Sequence, residues 1–233
     1  MEIIVDLFNQ HSGNVDELKR MALSAYMNGA DIAKIQILNS KRIWGDESRK
    51  YLEMTFDEVK EFYDFCNNHS IEPWATVFDE ESLEWIVELG TKRFKIASVT
   101  AAKDKDLCEK ILSYNKETII SLGMYNDEFP FGFDKNIKYL YCVSEYPTYL
   151  YSEKLKNMPK VFDKKSYYGY SDHAVGIAPA LQSYLRGSKL LEKHFTFDNF
   201  NQRETEKANL GSFTPESLRQ FKNLTKEFEV LNS

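Results

Sequence analysis

Eight short apolar runs, separated by stretches with helical periodicity, repeat from one end of this chain to the other and restrict what it can fold into. The runs are Ile3–Phe8, Ile32–Ile37, Pro73–Phe78, Arg93–Ala97, Thr118–Leu122, Lys138–Val143, Tyr167–Ser171 and Lys189–His194. Each has strand length and nearly continuous apolar character, the pattern of a strand covered on both faces. Between them, Val15–Asn28 repeats apolar residues at helical spacing, opens near Asn14 and closes at Gly29. Phe56–Asn67 sets Phe56, Val59, Phe62, Tyr63 and Cys66 on one helical face. Glu80–Leu89, Asp104–Tyr114, Gly176–Arg186 and Pro215–Leu231 read as helices too, the last with Thr214 as its cap. Tyr125–Asn136 and Pro147–Pro159 are poor helices, one broken by Pro130 and Gly132 and the other short. Strands joined through helices run parallel. Eight such units predict an α/β fold, a (β/α)8 barrel, as one domain over residues 1–233. A doubly wound open sheet is the competing reading, because periodicity alone does not close a barrel.

Composition narrows the function. A chain of 233 residues can bury one sizeable core, and 42% hydrophobic with 28% charged residues suits a water-soluble globule. The net charge of −6 argues against an extended nucleic-acid surface, though not against a local pocket for a small anion. Cys66, Cys108 and Cys142 lie in apolar contexts without metal-type spacing and read as reduced thiols. Met1 leads straight into Ile3-Ile4-Val5, and no run approaches the roughly 18 apolar residues of a membrane span. The expectation is a cytoplasmic protein that binds small molecules, with neither nucleic acid nor membrane as partner.

In a parallel barrel, the chemistry gathers where strands end. Asp6 lies in the first run, and Asn9-Gln10-His11-Ser12-Gly13 follows it. Lys34 and Gln36 alternate in the second and so share one face. The third carries Thr76, and the fourth carries Lys95 and ends at Ser98. Ser121, then Ser144-Glu145-Tyr146, come from the fifth and sixth. The seventh supplies Ser171, Asp172 and His173, and the eighth Glu192 and His194. Two lysines with several hydroxyls suit a phosphate beside a carboxylate. Two histidines on neighbouring strand ends suit a divalent metal that polarises a carbonyl. Each feature has a plainer alternative: Lys34 and Lys95 as internal ion pairs with Asp6 or Glu192, His11 as a turn cap, and the serines as small packing residues.

The order of these motifs resembles the sialic acid synthase family, the phosphoenolpyruvate-dependent synthases of nonulosonic acids. Asn28-Gly29-Ala30-Asp31-Ile32-Ala33-Lys34-Ile35-Gln36 is similar to the family's AGAD-x-x-K-x-Q segment, and Phe94-Lys95-Ile96-Ala97-Ser98 to its K-I-G/A-S strand. Ile120–Met124, Cys142–Pro147, Gly169–His173 and Leu191–Thr196 resemble its S-T-G-M, C-x-S/N-x-Y-P, G-x-S-D-H and E-K/R-H-F-T motifs. The resemblance implies a TIM barrel in which His173 and His194 hold a divalent metal, manganese by preference with magnesium or cobalt as substitutes. It implies phosphoenolpyruvate on Lys34, Gln36, Lys95, Ser98, Ser121, Ser144 and Ser171. It assigns catalytic roles to Asp6, Lys34, Lys95, Asp172 and Glu192, and contact with an aldose acceptor to Gln10, Thr76 and Tyr146.

Some positions depart from that pattern. The family's first-strand E-I-G-x-N-H-x-G is here Asp6-Leu7-Phe8-Asn9-Gln10-His11-Ser12-Gly13, and Thr100 replaces a carboxylate after the fourth run, so either Asp6 takes on more of the water orientation or Glu145 or Asp172 helps. A Gly-Pro-Asp element is not recognisable in Glu204–Gly211, and the family's C-terminal antifreeze-like domain is not seen after Leu231. The acceptor side is therefore expected to differ, or to be completed in a homodimer or by a separate partner carrying that domain. Two other functions compete: a non-catalytic paralogue that keeps the anion pocket, and a Schiff-base aldolase using Lys34 or Lys95.

Overall fold

The computed structural model describes residues 1–125, 129–200 and 207–232, and each of the eight apolar runs overlaps a strand. The strands are β1 (Glu2–Asp6), β2 (Ile32–Ile37), β3 (Glu72–Val77), β4 (Phe94–Ile96), β5 (Thr118–Ser121), β6 (Ile137–Cys142), β7 (Gly169–Asp172) and β8 (Leu190–His194). All neighbours pair in parallel, and β8 returns to β1, so the sheet closes in sequence order. Closure decides between the two architectures: this is a (β/α)8 barrel. The helices are α1 (Val15–Met27), α2 (Ser40–Trp44), α3 (Phe56–Asn68), α4 (Glu80–Glu88), α5 (Ser98–Lys103), α6 (Lys105–Ser113), α7 (Glu153–Lys156), α8 (Ala178–Leu185) and α9 (Pro215–Leu231).

Local chemistry fixes the helix ends. Asn14 caps α1 by accepting from Glu17 N at 3.1 Å, and Thr55 with Glu58 forms a capping box on α3. The weak helices are short or missing for a visible reason. Only α7 forms within Pro147–Pro159, and residues 129–136 hold no helix. There Phe129 and Phe133 pack against Tyr139, whose hydroxyl donates to the Gly132 carbonyl at 2.9 Å and accepts from Phe131 N at 3.1 Å. An aromatic cluster covers β6 where a helix would otherwise lie. Residues 126–128 of the expected segment lie outside the described residues. Among the described residues, no helix is long and apolar enough to cross a membrane.

Two apolar layers support the sheet. The larger lies between the strands and the surrounding helices; the smaller, Ile4, Ile32, Trp74, Ile119, Leu140 and Leu190, fills the lower half of the barrel. Arg93 closes the N-terminal end, with guanidinium nitrogens 2.7 Å from Glu2, 2.8 Å from Glu72 and 3.4 Å from Glu117. Its guanidinium also lies 4.5 Å from the centre of the Trp74 ring. Burial alone would lower the Arg93 pKa, but Glu2 and Glu72 raise it further still. With that end plugged, the polar strand ends at the other end are the accessible interior. Replacing Arg93 by Gln leaves three carboxylates facing one another, and we expect a loss of about 2 kcal/mol, lowering Tm by roughly 4–8 °C. An unchanged melting temperature by circular dichroism would show that the plug contributes nothing.

Candidate active site

Strand register carries the polar residues to one mouth. Asp6 is the register partner of both Lys34 and His194, Gln36 of Thr76, Thr76 of Lys95, and Ser171 of Glu192. Paired residues in a parallel sheet share a face, so these side chains form a layer above the apolar floor. They line an open cavity of about 640 Å³ together with Ser98, Ser121, Ser144, Tyr146 and His173.

At its base lie two lysines and two carboxylates. Lys34 Nζ donates to Asp6 Oδ2 at 2.6 Å and to Thr76 Oγ1 at 3.1 Å, and stands 3.3 Å from Glu192 Oε1. Lys95 Nζ donates to Ser121 Oγ at 2.9 Å and lies 3.4 Å from Glu192 Oε2. Gln36 donates to Asp6 at 2.8 Å, and Ser171 to Glu192 at 2.9 Å. Burial works against every charge here. For Asp6 it raises the pKa, but Lys34 and His194 outweigh it and hold the carboxyl well below its usual range. Burial likewise raises Glu192 and is overcome by Lys95 and Lys34. Lys34 stays above its ordinary value because Asp6 and Glu192 outweigh burial, whereas burial, aided by repulsion from Lys34, lowers Lys95 despite the pull of Glu192. The lysines are thus ion-paired, as the plainer reading expects, yet they line an open cavity. An arriving anion finds cations whose desolvation the fold has already met.

Ser98 and Ser144 form a second cradle around Gly123. The Gly123 N–H donates to Ser98 Oγ at 2.9 Å. A Cβ on Gly123 would come within 2.2 Å of Ser144 Oγ and 2.9 Å of Cys142 Sγ.

The histidines meet at the β7–β8 edge, their ring centroids 5.3 Å apart. Nδ1 of His173 lies 3.0 Å from the Val143 carbonyl; donation there fixes the tautomer and leaves Nε2 as the lone-pair donor. Burial lowers His173, but Cys142 and that carbonyl raise it above its ordinary value overall. His194 is pushed down to about 4, chiefly by burial, so it is neutral near pH 7; its buried Nδ1 has no hydrogen-bond partner. A neutral imidazole with an orphaned nitrogen beside a second, oriented imidazole fits a divalent cation. Among the described residues no cluster of three or more His, Cys, Asp or Glu forms a metal site. Such a cation would keep open positions for substrate oxygens and water.

Two expected site residues are elsewhere. Asp172 faces the outside of the barrel, where it pairs with Lys193 at 2.7 Å, because strand alternation turns it away from Ser171 and His173. Gln10 is absent from the cavity wall: it donates to Asn9 and Asn209, and its Oε1 accepts from Thr196 at 3.0 Å. Asn9, buried with φ of 63°, lines the cavity in its place, as does Phe8, whose ring lies 6.4 Å from His194. Glu145 pairs with Lys154 at 3.7 Å and His11 accepts from Gly13 N at 3.0 Å, so neither joins the mouth, and Thr100 is buried outside it. The sequence reading missed Phe8 and Asn9 as lining residues and Gly123 as the backbone against which Ser98 and Ser144 pack. It also missed Trp44, Arg49 and Lys103, which the loop after β2 and the end of α5 bring to the rim.

The model of the NeuB family matches residues 21–232. The chain belongs to the NeuB family. Among its curated relatives, the N,N'-diacetyllegionaminic acid synthase of Campylobacter jejuni is 30% identical over 89% of this chain and 71% of its own length. The N-acetylneuraminate-9-phosphate synthase of Mus musculus is 29% identical over 84% of this chain, and the chain spans 62% of that protein. A crystal structure of the sialic acid synthetase of Leptospira borgpetersenii, in complex with citrate, superposes with a TM-score of 0.85 at 25% identity, covering 99% of this chain and 85% of that one. For this NeuB-family barrel, Gly123→Ala should weaken binding of inorganic phosphate at least about tenfold, because the new methyl displaces Ser144 from the cradle. Calorimetry showing unchanged affinity would remove Gly123 and Ser144 from the anion site.

Proposed function

We propose that this NeuB-family chain condenses phosphoenolpyruvate with an aldehyde sugar, giving a 2-keto-3-deoxy sugar acid and phosphate for surface polysaccharide. The observation that carries this reading is the quartet of Asp6, Lys34, Lys95 and Glu192 at the base of an open cavity, with two histidines at its edge.

Lys34 and Lys95 hold the carboxylate and phosphate of phosphoenolpyruvate, helped by Ser98, Ser121, Ser144 and Ser171. Gln36 and Thr76 fix Asp6 and Lys34 in place. Tyr146, with its ring 4.3 Å from that of His173, and Phe8, beside His194, wall the side from which the aldose enters. A divalent cation on His173 and His194, manganese by preference, supplies Lewis-acid polarisation of the aldehyde.

C3 of phosphoenolpyruvate then forms a bond to the aldehyde carbon. Water adds its hydroxyl to C2 and its proton to the new alkoxide. The tetrahedral C2 collapses to a ketone as the bridging C–O bond breaks, and the hydroxyl proton leaves with phosphate. Asp6, kept ionised by Lys34, orients that water. Glu192, tied to both lysines, keeps them aimed into the cavity.

Incubation of purified protein with manganese, phosphoenolpyruvate and a panel of aldoses that includes N-acetylmannosamine should release phosphate and 2-keto-3-deoxy acid in equal amounts. His173→Ala and His194→Ala should each lower turnover by at least about 100-fold with unchanged circular dichroism. Phosphoenolpyruvate binding without turnover on any acceptor would point instead to a non-catalytic paralogue. Borohydride trapping of a sugar on Lys34 or Lys95 would point to an aldolase.

A further inference from the structure

Asp172 and Lys193 each immediately precede one of the mouth-facing histidines, and they are register partners across β7 and β8. Their side chains lie on the outer face, both 0% exposed, with Lys193 Nζ 2.7 Å from Asp172 Oδ2. The same ammonium donates to the Ala174 carbonyl at 2.6 Å, and Asp172 Oδ1 accepts from Ala174 N at 2.8 Å. Two atoms of the residue after His173 are thus tied to the pair.

Further contacts hold both histidine backbones from behind. Lys193 Nζ lies 5.5 Å from the centre of the Phe213 ring, and Phe213 N donates to the His194 carbonyl at 2.7 Å. Thr148 N donates to the His173 carbonyl at 2.8 Å. Gly211 packs so closely against that carbonyl that a Cβ there would sit 2.3 Å from the oxygen.

An apolar pair of similar volume often stabilises a core as well as a buried ion pair does, because two charges must be desolvated. What an ion pair adds is direction: it fixes which atoms meet and how far apart. We propose that Asp172 and Lys193 form a clamp that sets the spacing of the His173 and His194 rings, now 5.3 Å between centroids, for a shared divalent cation. The clamp rests on the metal-site reading given under the proposed function. Asp172 and Lys193 are positioning residues; their charged groups face away from the cavity and act through the two strand ends.

Manganese affinity, read by electron paramagnetic resonance, and melting temperature separate position from stability. Wild-type protein should bind one manganese ion. Asp172→Asn and Lys193→Met should each weaken binding by about 10–100-fold. The double variant Asp172→Leu/Lys193→Met, with an apolar pair in the same place, should regain the wild-type melting temperature and still bind manganese weakly. Wild-type affinity in the single variants would overturn the clamp. So would a double variant whose affinity recovers along with its stability, since packing alone would then suffice. If the wild type binds no manganese, the metal reading itself fails and the clamp fails with it.

Discussion

Everything at the mouth depends on one electrostatic arrangement: two lysines and two carboxylates buried side by side at the centre of the barrel. None of the four charges would survive there alone, because each pays desolvation that only a partner offsets. Asp6 comes from β1, Lys34 from β2, Lys95 from β4 and Glu192 from β8, so the network exists only if the sheet closes. The apolar layer beneath and the Arg93 ion pairs at the far end brace the closed sheet. In the proposed reaction these charges stand in for water around the substrate.

The sequence makes the barrel and most of its mouth legible, and the exceptions have physical causes. Parallel strands covered on both faces announce themselves as apolar runs, so all eight are readable. Inward alternation in β2 correctly groups Lys34 with Gln36. The same alternation rule separates Asp172 from Ser171 and His173, and both the grouping of strand-end residues and the motif resemblance that placed Asp172 at the mouth ran against it. Gln10 fails differently. It follows Asn9, whose left-handed backbone turns the chain after β1 and sends the next side chain toward Thr196 and Asn209. Positive φ at a non-glycine residue is not something a periodicity reading foresees. Gly123 is visible only through the Cβ it lacks. The aromatic cluster over β6 was hidden because Pro130 and Gly132 break the helix that the spacing of Phe129 and Phe133 would suit, while Tyr139 belongs to the strand itself.

The two sides of the mouth are built differently. The anion side, from β2 to β5 and β8, is buried, hydrogen-bonded and rigidly seated on strands. The remaining rim rests on loops and helix ends, with half-exposed Tyr146, Phe8 in place of the glycine of the family pattern, and Trp44 and Lys103; in the proposed reaction Tyr146 and Phe8 face the acceptor. Loops on a fixed scaffold are where specificity changes most readily. The NeuB-family relatives named above make different products, which accords with that division.

In the proposed reaction this pocket breaks the C–O bond of phosphoenolpyruvate rather than its P–O bond. Phosphoenolpyruvate labelled with oxygen-18 at the bridging position tests it most directly. With an aldose and manganese present, mass spectrometry should find the label in the released phosphate and none in the keto acid. Label retained in the keto acid, as after phosphatase-like P–O cleavage, would contradict the account.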